Sequence, residues 1–159
     1  MQKAKVVLAI VEALKAKVAL HAAAARTAHE EATHEENRAE DKYDTRGLEA
    51  SYLAAGQVRQ TAEVAEAIRE YANVFLKKFK ASDPIDVTAL VEMSLEGKRT
   101  WYFIGPAAGG LEVEVDGVPV LVLTPQSPLA QAMTGKKKGG TVVWKVHGLE
   151  DRYKIVSVQ

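Results

Sequence analysis

Two long stretches with the pattern of a helical seam constrain the fold of this chain more than any other feature. Residues 2–36 contain neither Gly nor Pro. Apolar and small residues recur there at spacings of four and three, at Val7, Val11, Leu14, Val18, His21, Ala25, Ala28 and Ala32. This repeat is typical of the contact seam of a coiled coil, so the stretch predicts one long helix that packs against a partner helix.

The second stretch predicts a partner helix from about residue 48 to Lys80. Its stripe consists of Val58, Thr61, Ala65, Ile68, Ala72, Phe75 and Phe79. If the helices run antiparallel, the two phenylalanines pair with Val7 and Val11, and small residues pair with small residues at the far end. We therefore expect an antiparallel coiled-coil hairpin over residues 1–81, with arms about 50 Å long and a bend between Asn37 and Gly47.

A second domain is expected from residue 82 to residue 159. Pro84 disfavours helix for the residue before it, so the helical pattern ends there. After it the apolar residues alternate with a period of two, at Ile85, Val87, Ala89, Val91, Met93 and Leu95, which predicts a half-buried strand.

The rest of this domain predicts more strands and one short helix. The predicted strands cover residues 99–104, 111–115, 118–123, 141–146 and 152–158. Asp116-Gly117 is a hairpin turn between two of them. Ser127 and Pro128 begin a short helix, with Ser at the N-cap, and Gly135 ends it. The expected fold class is α+β, a helical hairpin followed by an antiparallel sheet with one short helix.

The predicted bend carries an acidic cluster. Residues 30–49 contain eight acidic and three basic residues, a local charge of −5, whereas the whole chain balances 21 basic against 21 acidic residues. Like charges at a helix end repel one another and do not stabilise it. The cluster is either a solvated helix end or a site that acts on another molecule, one that supplies a cation.

Composition excludes several classes of function. The chain has no cysteine, so it forms no disulfide and no cysteine-based metal site. Its net charge of zero disfavours sequence-independent DNA binding. No apolar run approaches the roughly 18 residues that a membrane span requires. The short apolar stretch from Val6 to Val11 continues in helical register, so we do not predict a signal peptide, and we expect a cytoplasmic protein without a membrane partner.

Two motifs resemble those of the Gre family of bacterial transcript cleavage factors. The segment from Ser127 to Gly140, SPLAQAMTGKKKGG, is similar to the family's C-terminal signature S-P-small-x-A-L-x-G-K-x-x-G-D. Asp41-Lys42-Tyr43-Asp44 is similar to the family's D-x-x-E at the hairpin tip. The resemblance extends over essentially the whole chain in the order of its parts.

The resemblance implies a function and a set of residues. In that family the coiled coil enters the secondary channel of RNA polymerase, and an FKBP-like C-terminal domain docks at the channel rim. It implies that Asp41 and Asp44, with Glu40 as the alternate, help to hold Mg²⁺ jointly with the polymerase near the 3′ end of the nascent RNA. It also implies that the docking segment consists of Gln126, Ser127, Pro128 and Leu129. We expect a monomeric accessory factor that binds no Mg²⁺ alone and stimulates hydrolysis by the polymerase.

The sequence departs from the family pattern at several places, and Thr45-Arg46-Gly47-Leu48 stands where the family usually has N-A-E-Y. Asp44 replaces a Glu, Gln126 and Gly140 each replace an Asp, and the usual N-terminal lead-in is missing. The chain therefore has the features of a diverged paralogue. It either promotes transcript cleavage or occupies the channel without catalysis and inhibits the polymerase. A stand-alone isomerase or chaperone with a coiled-coil arm is the third interpretation.

Overall fold

The computed structural model describes residues 1–33, 46–146 and 148–159. Over these residues the chain is α+β, with two long helices followed by six strands and one short helix. The elements are α1 Lys3–Thr33, α2 Arg46–Ala72, β1 Leu90–Leu95, β2 Lys98–Ile104, β3 Glu112–Val115, β4 Val118–Leu123, α3 Pro128–Met133, β5 Thr141–Val146 and β6 Leu149–Val158. The predicted bend lies outside this part of the chain.

The chain divides into two compact units. One combines residues 1–11 with residues 69–159, and the other consists of residues 12–68. The first contains the start of α1, the end of α2 and all six strands; the second contains the remainder of both long helices. The predicted domain limits of 1–81 and 82–159 stay a prediction.

Within the unit of residues 12–68, burial follows helical periodicity, and on α2 it agrees with the predicted stripe except at Val58. Leu14 of α1 and Ala67 of α2 are buried. The half-buried positions on α2 include Gln57, Thr61, Val64 and Ile68, which again follow spacings of four and three. Val58, predicted in the stripe, is 63% exposed. Thr61, Ala65 and Ile68 of the predicted stripe are thus half-buried, and within this unit the predicted stripe is wrong at Val58.

The prediction that α2 continues to Lys80 is wrong, because the helix ends at Ala72. The Asn73 side-chain amide donates to the Arg69 carbonyl at 2.8 Å and satisfies one of the last carbonyls of the helix. Beyond it the chain runs without helix, and the Lys77 N–H donates to Thr88 Oγ1 at 3.2 Å. Phe79 packs against the core of the sheet. These tertiary contacts outweigh the local helical pattern.

This ending also changes the role of Phe75. The sequence pattern placed Phe75 in the helical seam, but its side chain is 84% exposed. Since the residue lies beyond the end of α2, it has no position on a helix face. The predicted pairing of Phe75 with the start of α1 is therefore wrong.

The sheet is mixed, which corrects the expectation of an antiparallel sheet. The strand order is β3-β4-β2-β1-β6-β5, and β4 runs parallel to β2, with Trp101 opposite Val120. All other neighbouring pairs are antiparallel. β4 reads VPVLVL, a nearly continuous apolar run that suits a strand buried on both faces. β3 alternates Glu and Val, buries only the valines and takes the edge.

Two tight turns set the register of the hairpins. Asp116 and Gly117 have φ values of 54° and 77°, as a type I′ turn requires, which confirms the predicted β3–β4 hairpin. Glu96 and Gly97, with φ values of 49° and 87°, make the same kind of turn between β1 and β2. The first regular strand begins only at Leu90, because the buried Thr88 takes a φ of 68° and interrupts the predicted alternation.

Both faces of the sheet are buried. On one face, Ala130 and Met133 of α3 join a core that includes Val91, Met93, Tyr102, Ile104 and Ile155. On the opposite face, Leu90, Phe103, Val120 and Val122 are fully buried. Each such side chain contributes about 1.5–3 kcal/mol on burial.

The start of α1 and the end of α2 are fixed to the same unit. Val6 and Ile10 of α1 and Tyr71 of α2 are buried. The Lys5 ammonium pairs with the Asp116 carboxylate at 2.8 Å, and the Tyr71 hydroxyl donates to the Ala107 carbonyl at 2.9 Å. These contacts join the two helix ends to the β3–β4 turn and to the loop after β2. None of the described helices is long and apolar enough to cross a membrane.

Candidate docking segment

The start of α3 forms as its sequence predicts. Ser127 is the N-cap, with extended φ and ψ of −67° and 138°, and its hydroxyl accepts the Ala130 N–H at 3.3 Å. Pro128 occupies the first turn, where its missing N–H leaves no hydrogen bond unmade. Gly135 follows the helix with a φ of 80°, a conformation that Gly adopts without strain.

The body of α3 is anchored in the core of the sheet. Ala130 and Met133 are fully buried, whereas Leu129 packs partly against the same core. After the helix, the Gly135 N–H donates to the Ile85 carbonyl at 2.9 Å, and the Ile85 N–H donates to the Lys136 carbonyl at 2.7 Å. The helix is therefore held at its buried face and just after its C-terminal end.

The residues before the helix form an exposed and well-supported corner. Gln126 and Pro128 are exposed, and Ser127 and Leu129 beside them are half-buried. The Ser127 N–H donates to the Thr124 carbonyl at 2.9 Å, and the Gln131 side-chain amide donates to the Gln126 carbonyl at 3.3 Å. The four predicted docking residues, which are consecutive in the sequence, thus lie on a corner whose backbone is held by hydrogen bonds, and their docking role stays a prediction.

The chemistry of this segment is uncharged. From Thr124 to Gly135 the chain contains no ionisable side chain. The accessible Gln126 amide offers both donors and an acceptor, and Pro128 offers an apolar ring. The corner therefore offers hydrogen-bonding groups and apolar surface, but no charge.

The acidic tip lies outside the described residues. Asp41, Asp44 and the alternate Glu40 are therefore not placed, and their joint binding of Mg²⁺ stays a prediction. Within the described ranges, no group of three or more His, Asp or Glu side chains could hold a metal ion. The tip sequence remains the source of the metal hypothesis.

Three aromatic residues of the sheet contribute to its buried faces. Phe103 and Tyr102 are buried, and Tyr153 packs against the core. Tyr102 and Tyr153 also border a cavity of about 310 Å³, whose wall includes Glu96 and Lys98. Burial raises the pKa of both phenols, and the charge of Asp151 raises the pKa of Tyr153 further. The charged wall is unlike the mostly apolar lining of a typical ligand pocket.

A cluster of contacts around Lys3 was not predicted from the sequence. The Lys3 ammonium donates to the carbonyls of Thr88, at 3.1 Å, and Lys77. It also lies 4.8 Å from the centroid of the Phe79 ring. Burial lowers the pKa of Lys3, and the charge of Lys77 lowers it further. No local signal predicts this cluster, because its members lie far apart in the sequence.

A second missed contact involves Tyr71 and Gly105. A Cβ atom at Gly105 would lie only 2.0 Å from the Tyr71 hydroxyl oxygen. The glycine therefore leaves the space through which Tyr71 reaches the Ala107 carbonyl. Burial raises the pKa of the Tyr71 phenol, and the negative charge of Glu70 adds to this effect.

No protein-family model matches this chain, and no curated protein sequence matches it. Solved structures do match. The chain is similar to structures of Gre factors. The GreA factor homolog 1 (Gfh1) of Thermus thermophilus is 17% identical, with a TM-score of 0.40 over 94% of both chains. Gfh1 of Thermus aquaticus is 16% identical, with a TM-score of 0.39 over 94% of this chain and 90% of that one.

A third similar structure comes from another organism. It is the prokaryotic transcription elongation factor GreA/GreB from Nitrosomonas europaea, which is 18% identical to this chain. The similarity covers 60% of this chain and 78% of that one, with a TM-score of 0.37.

Proposed function

We propose that this chain is a Gre-like transcription elongation factor that binds bacterial RNA polymerase through its secondary channel. In this proposal residues 1–81 form a coiled-coil hairpin, and residues 82–159 form an FKBP-like domain that docks at the channel rim. The observation that carries the proposal is the segment from Gln126 to Leu129. There the family-like Ser-Pro motif caps a buried helix and presents an accessible, hydrogen-bonded corner.

The construction of this corner supports a docking role. Its buried side fixes the backbone through Ala130 and Met133, so its outer side loses little conformational freedom when a partner binds. Gln126 and Pro128 remain accessible to that partner.

The acidic tip is the proposed effector of cleavage. Asp41 and Asp44 would contribute carboxylate oxygens to a Mg²⁺ ion shared with the polymerase and the RNA 3′ end. The ion would assist hydrolysis by activating water or by stabilising the leaving oxygen. Two carboxylates alone supply too few ligands to bind Mg²⁺ tightly, so the factor would complete the polymerase's active centre rather than contain its own.

A second candidate function is inhibition of the polymerase without cleavage. It is favoured by Asp44, whose side chain is one methylene shorter than the Glu of the family pattern. A shorter carboxylate reaches less far toward a shared ion. Such a factor would still enter the channel through the same docking segment.

Transcript cleavage in a backtracked elongation complex distinguishes these functions. We expect the parent chain to stimulate cleavage, and Asp41→Asn with Asp44→Asn to reduce it by about 100-fold or more. The matched control replaces Glu112 and Glu114, exposed acids on β3, with Gln and should cleave as the parent does.

The other outcomes separate the remaining hypotheses. A parent chain that binds polymerase and slows elongation without cleavage is an inhibitor. Cleavage that survives the double Asn change would show that Asp41 and Asp44 are the wrong acids and would direct attention to Glu40. A parent chain that does not bind polymerase would refute the proposal, and catalysis of peptidyl-prolyl isomerisation would then support the isomerase interpretation.

A further inference from the structure

Three basic side chains converge on one groove of the sheet-containing unit. Arg99, Lys138 and Lys154 border a cavity of about 420 Å³. Its other lining residues are Ser94, Gly139, Ile155 and Val156. The groove is separate from the docking segment, shares no residue with it, and plays no part in the proposed function.

The strand register brings the cations together. Ser94 of β1 lies opposite Arg99 on β2 and opposite Lys154 on β6. Residues that pair across neighbouring strands share a face of the sheet, so two positive charges flank the Ser94 hydroxyl. The groove therefore combines a hydroxyl donor with two cationic donors on a rigid backbone.

The loop before β5 holds the third cation beside them. The Gly139 N–H donates to the Ile155 carbonyl at 2.8 Å, and the Ile155 N–H donates to the Gly140 carbonyl at 2.9 Å. The Gly140 N–H donates to the Lys137 carbonyl at 2.9 Å and closes a turn around Lys138. These bonds fasten Lys138 next to β6 and to Lys154.

The positive charge of the groove is not balanced by its own lining. Glu92 pairs with the Arg99 guanidinium at 3.0 Å. Lys138 and Lys154 form no ion pair with any residue that the structure describes. Since Glu92 balances the charge of Arg99, the charges of Lys138 and Lys154 remain unbalanced. Like charges held close together disfavour the folded state.

We propose that this groove binds a phosphate group, either of a free phosphorylated solute or of a nucleic-acid backbone. A phosphate concentrates more than one negative charge and several acceptor oxygens in a compact group, which suits several donors around a small cavity. An acidic protein segment carries one charge per side chain and would need several carboxylates to converge. The size of the groove therefore favours phosphate.

Isothermal titration calorimetry on the full chain tests this proposal. The probes are tripolyphosphate, a single-stranded RNA oligonucleotide and a hexaglutamate peptide. We expect Lys138→Gln with Lys154→Gln to weaken phosphate binding by about tenfold, since each change removes a charge-assisted hydrogen bond. The matched control is Lys136→Gln with Lys137→Gln, which removes the same charge from the same loop outside the groove lining. Arg99 is left in place because Glu92 would lose its partner.

The outcomes decide both the ligand chemistry and its source. Binding of tripolyphosphate as tight as that of RNA assigns the groove to a free phosphorylated solute, and tighter binding of RNA assigns it to a nucleic-acid backbone. Preference for hexaglutamate, absence of phosphate binding, or equal weakening by the control pair would overturn the proposal. Melting temperatures of both double variants at or above that of the parent would show that the comparison reports binding and not a loss of folding. Since no polymerase is present, the result is independent of the proposed function.

Discussion

Replacing Gly105 with Ala tests how the end of α2 is joined to the sheet. The new Cβ would lie 2.0 Å from the Tyr71 hydroxyl oxygen, whereas carbon and oxygen normally stay about 3.3 Å or more apart. The phenol must therefore move by about 1 Å or more, and this movement breaks its 2.9 Å hydrogen bond to the Ala107 carbonyl. The lost hydrogen bond costs about 1 kcal/mol, and the overpacking costs about 1–3 kcal/mol.

A double-mutant cycle isolates this contact. Tyr71→Phe alone removes the hydroxyl and should cost about 1 kcal/mol. When Gly105→Ala is combined with Tyr71→Phe, the first atom that the new methyl group meets is the ring Cζ, at 3.0 Å. Gly105→Ala should then cost only about 1 kcal/mol, so the two changes together should destabilise the protein less than the sum of the single changes.

Urea unfolding, followed by circular dichroism, measures the four free energies of unfolding. We expect a coupling energy of about 1–3 kcal/mol between the two positions. Gly105 does not have a positive φ, so Ala adopts its backbone conformation and the clash is the main source of the cost. Additive effects would refute the assignment of Gly105 as the residue that makes room for Tyr71.

Three further predictions concern individual contacts. Ser127→Ala removes the N-cap of α3 and should lower the free energy of unfolding by about 1 kcal/mol in urea titrations; an unchanged value would mean that the cap contributes nothing. His21→Leu should raise the melting temperature, because His21 Nδ1 is buried without a hydrogen-bond partner in the described chain, and a lower melting temperature would contradict this. The raised pKa of Tyr71 predicts that stability is fully present below pH 10 and falls as pH rises above the ordinary phenol pKa of 10.0 toward the folded value. Between about pH 10 and 11, the free energy of unfolding of Tyr71→Phe should therefore fall less than that of the parent, by up to about 1.4 kcal/mol per pH unit. Equal falls would contradict a raised pKa of Tyr71.

Local signals predicted the parts of the fold that local chemistry determines. Ser127 and Pro128 specify a helix start because a hydroxyl acceptor and a missing N–H suit the first helical turn wherever the segment lies. Asp116-Gly117 specifies its hairpin because few residue pairs accept two positive φ values. Both were confirmed.

Long-range competition explains the errors. The end of α2 is set by Phe79 and Lys77, which contact the sheet, and a helical pattern read along the chain does not contain that information. The parallel pairing of β2 with β4 arises because β4, and not β3, is the strand of the β3–β4 hairpin that lies next to β2. The continuous apolar run of β4 was the available signal for this, because a strand buried on both faces lacks alternation.

The candidate sites differ in the same way. The segment from Gln126 to Leu129 could be proposed from the sequence because its residues are adjacent and resemble a family motif, and its docking role stays a prediction. The groove of Arg99, Lys138 and Lys154 was not predicted, because its three cations lie far apart in the sequence. Arg99 is on β2, Lys138 is in the loop that precedes β5, and Lys154 is on β6. The register of β1 with β2 alone would have placed Arg99 beside Ser94, but the position of β6 requires the full sheet order.

Competition for RNA polymerase tests whether residues 126–129 form the polymerase contact. Labelled parent chain is bound to a polymerase elongation complex and displaced with unlabelled parent, with Gln126→Ala and Pro128→Ala combined, or with Lys136→Gln and Lys137→Gln as a control. We expect the parent and the control to displace the label equally well, and the docking variant to do so about tenfold less well or worse. If the docking variant, folded as shown by an unchanged melting temperature, competes as well as the parent, the assignment of residues 126–129 as the polymerase contact is wrong.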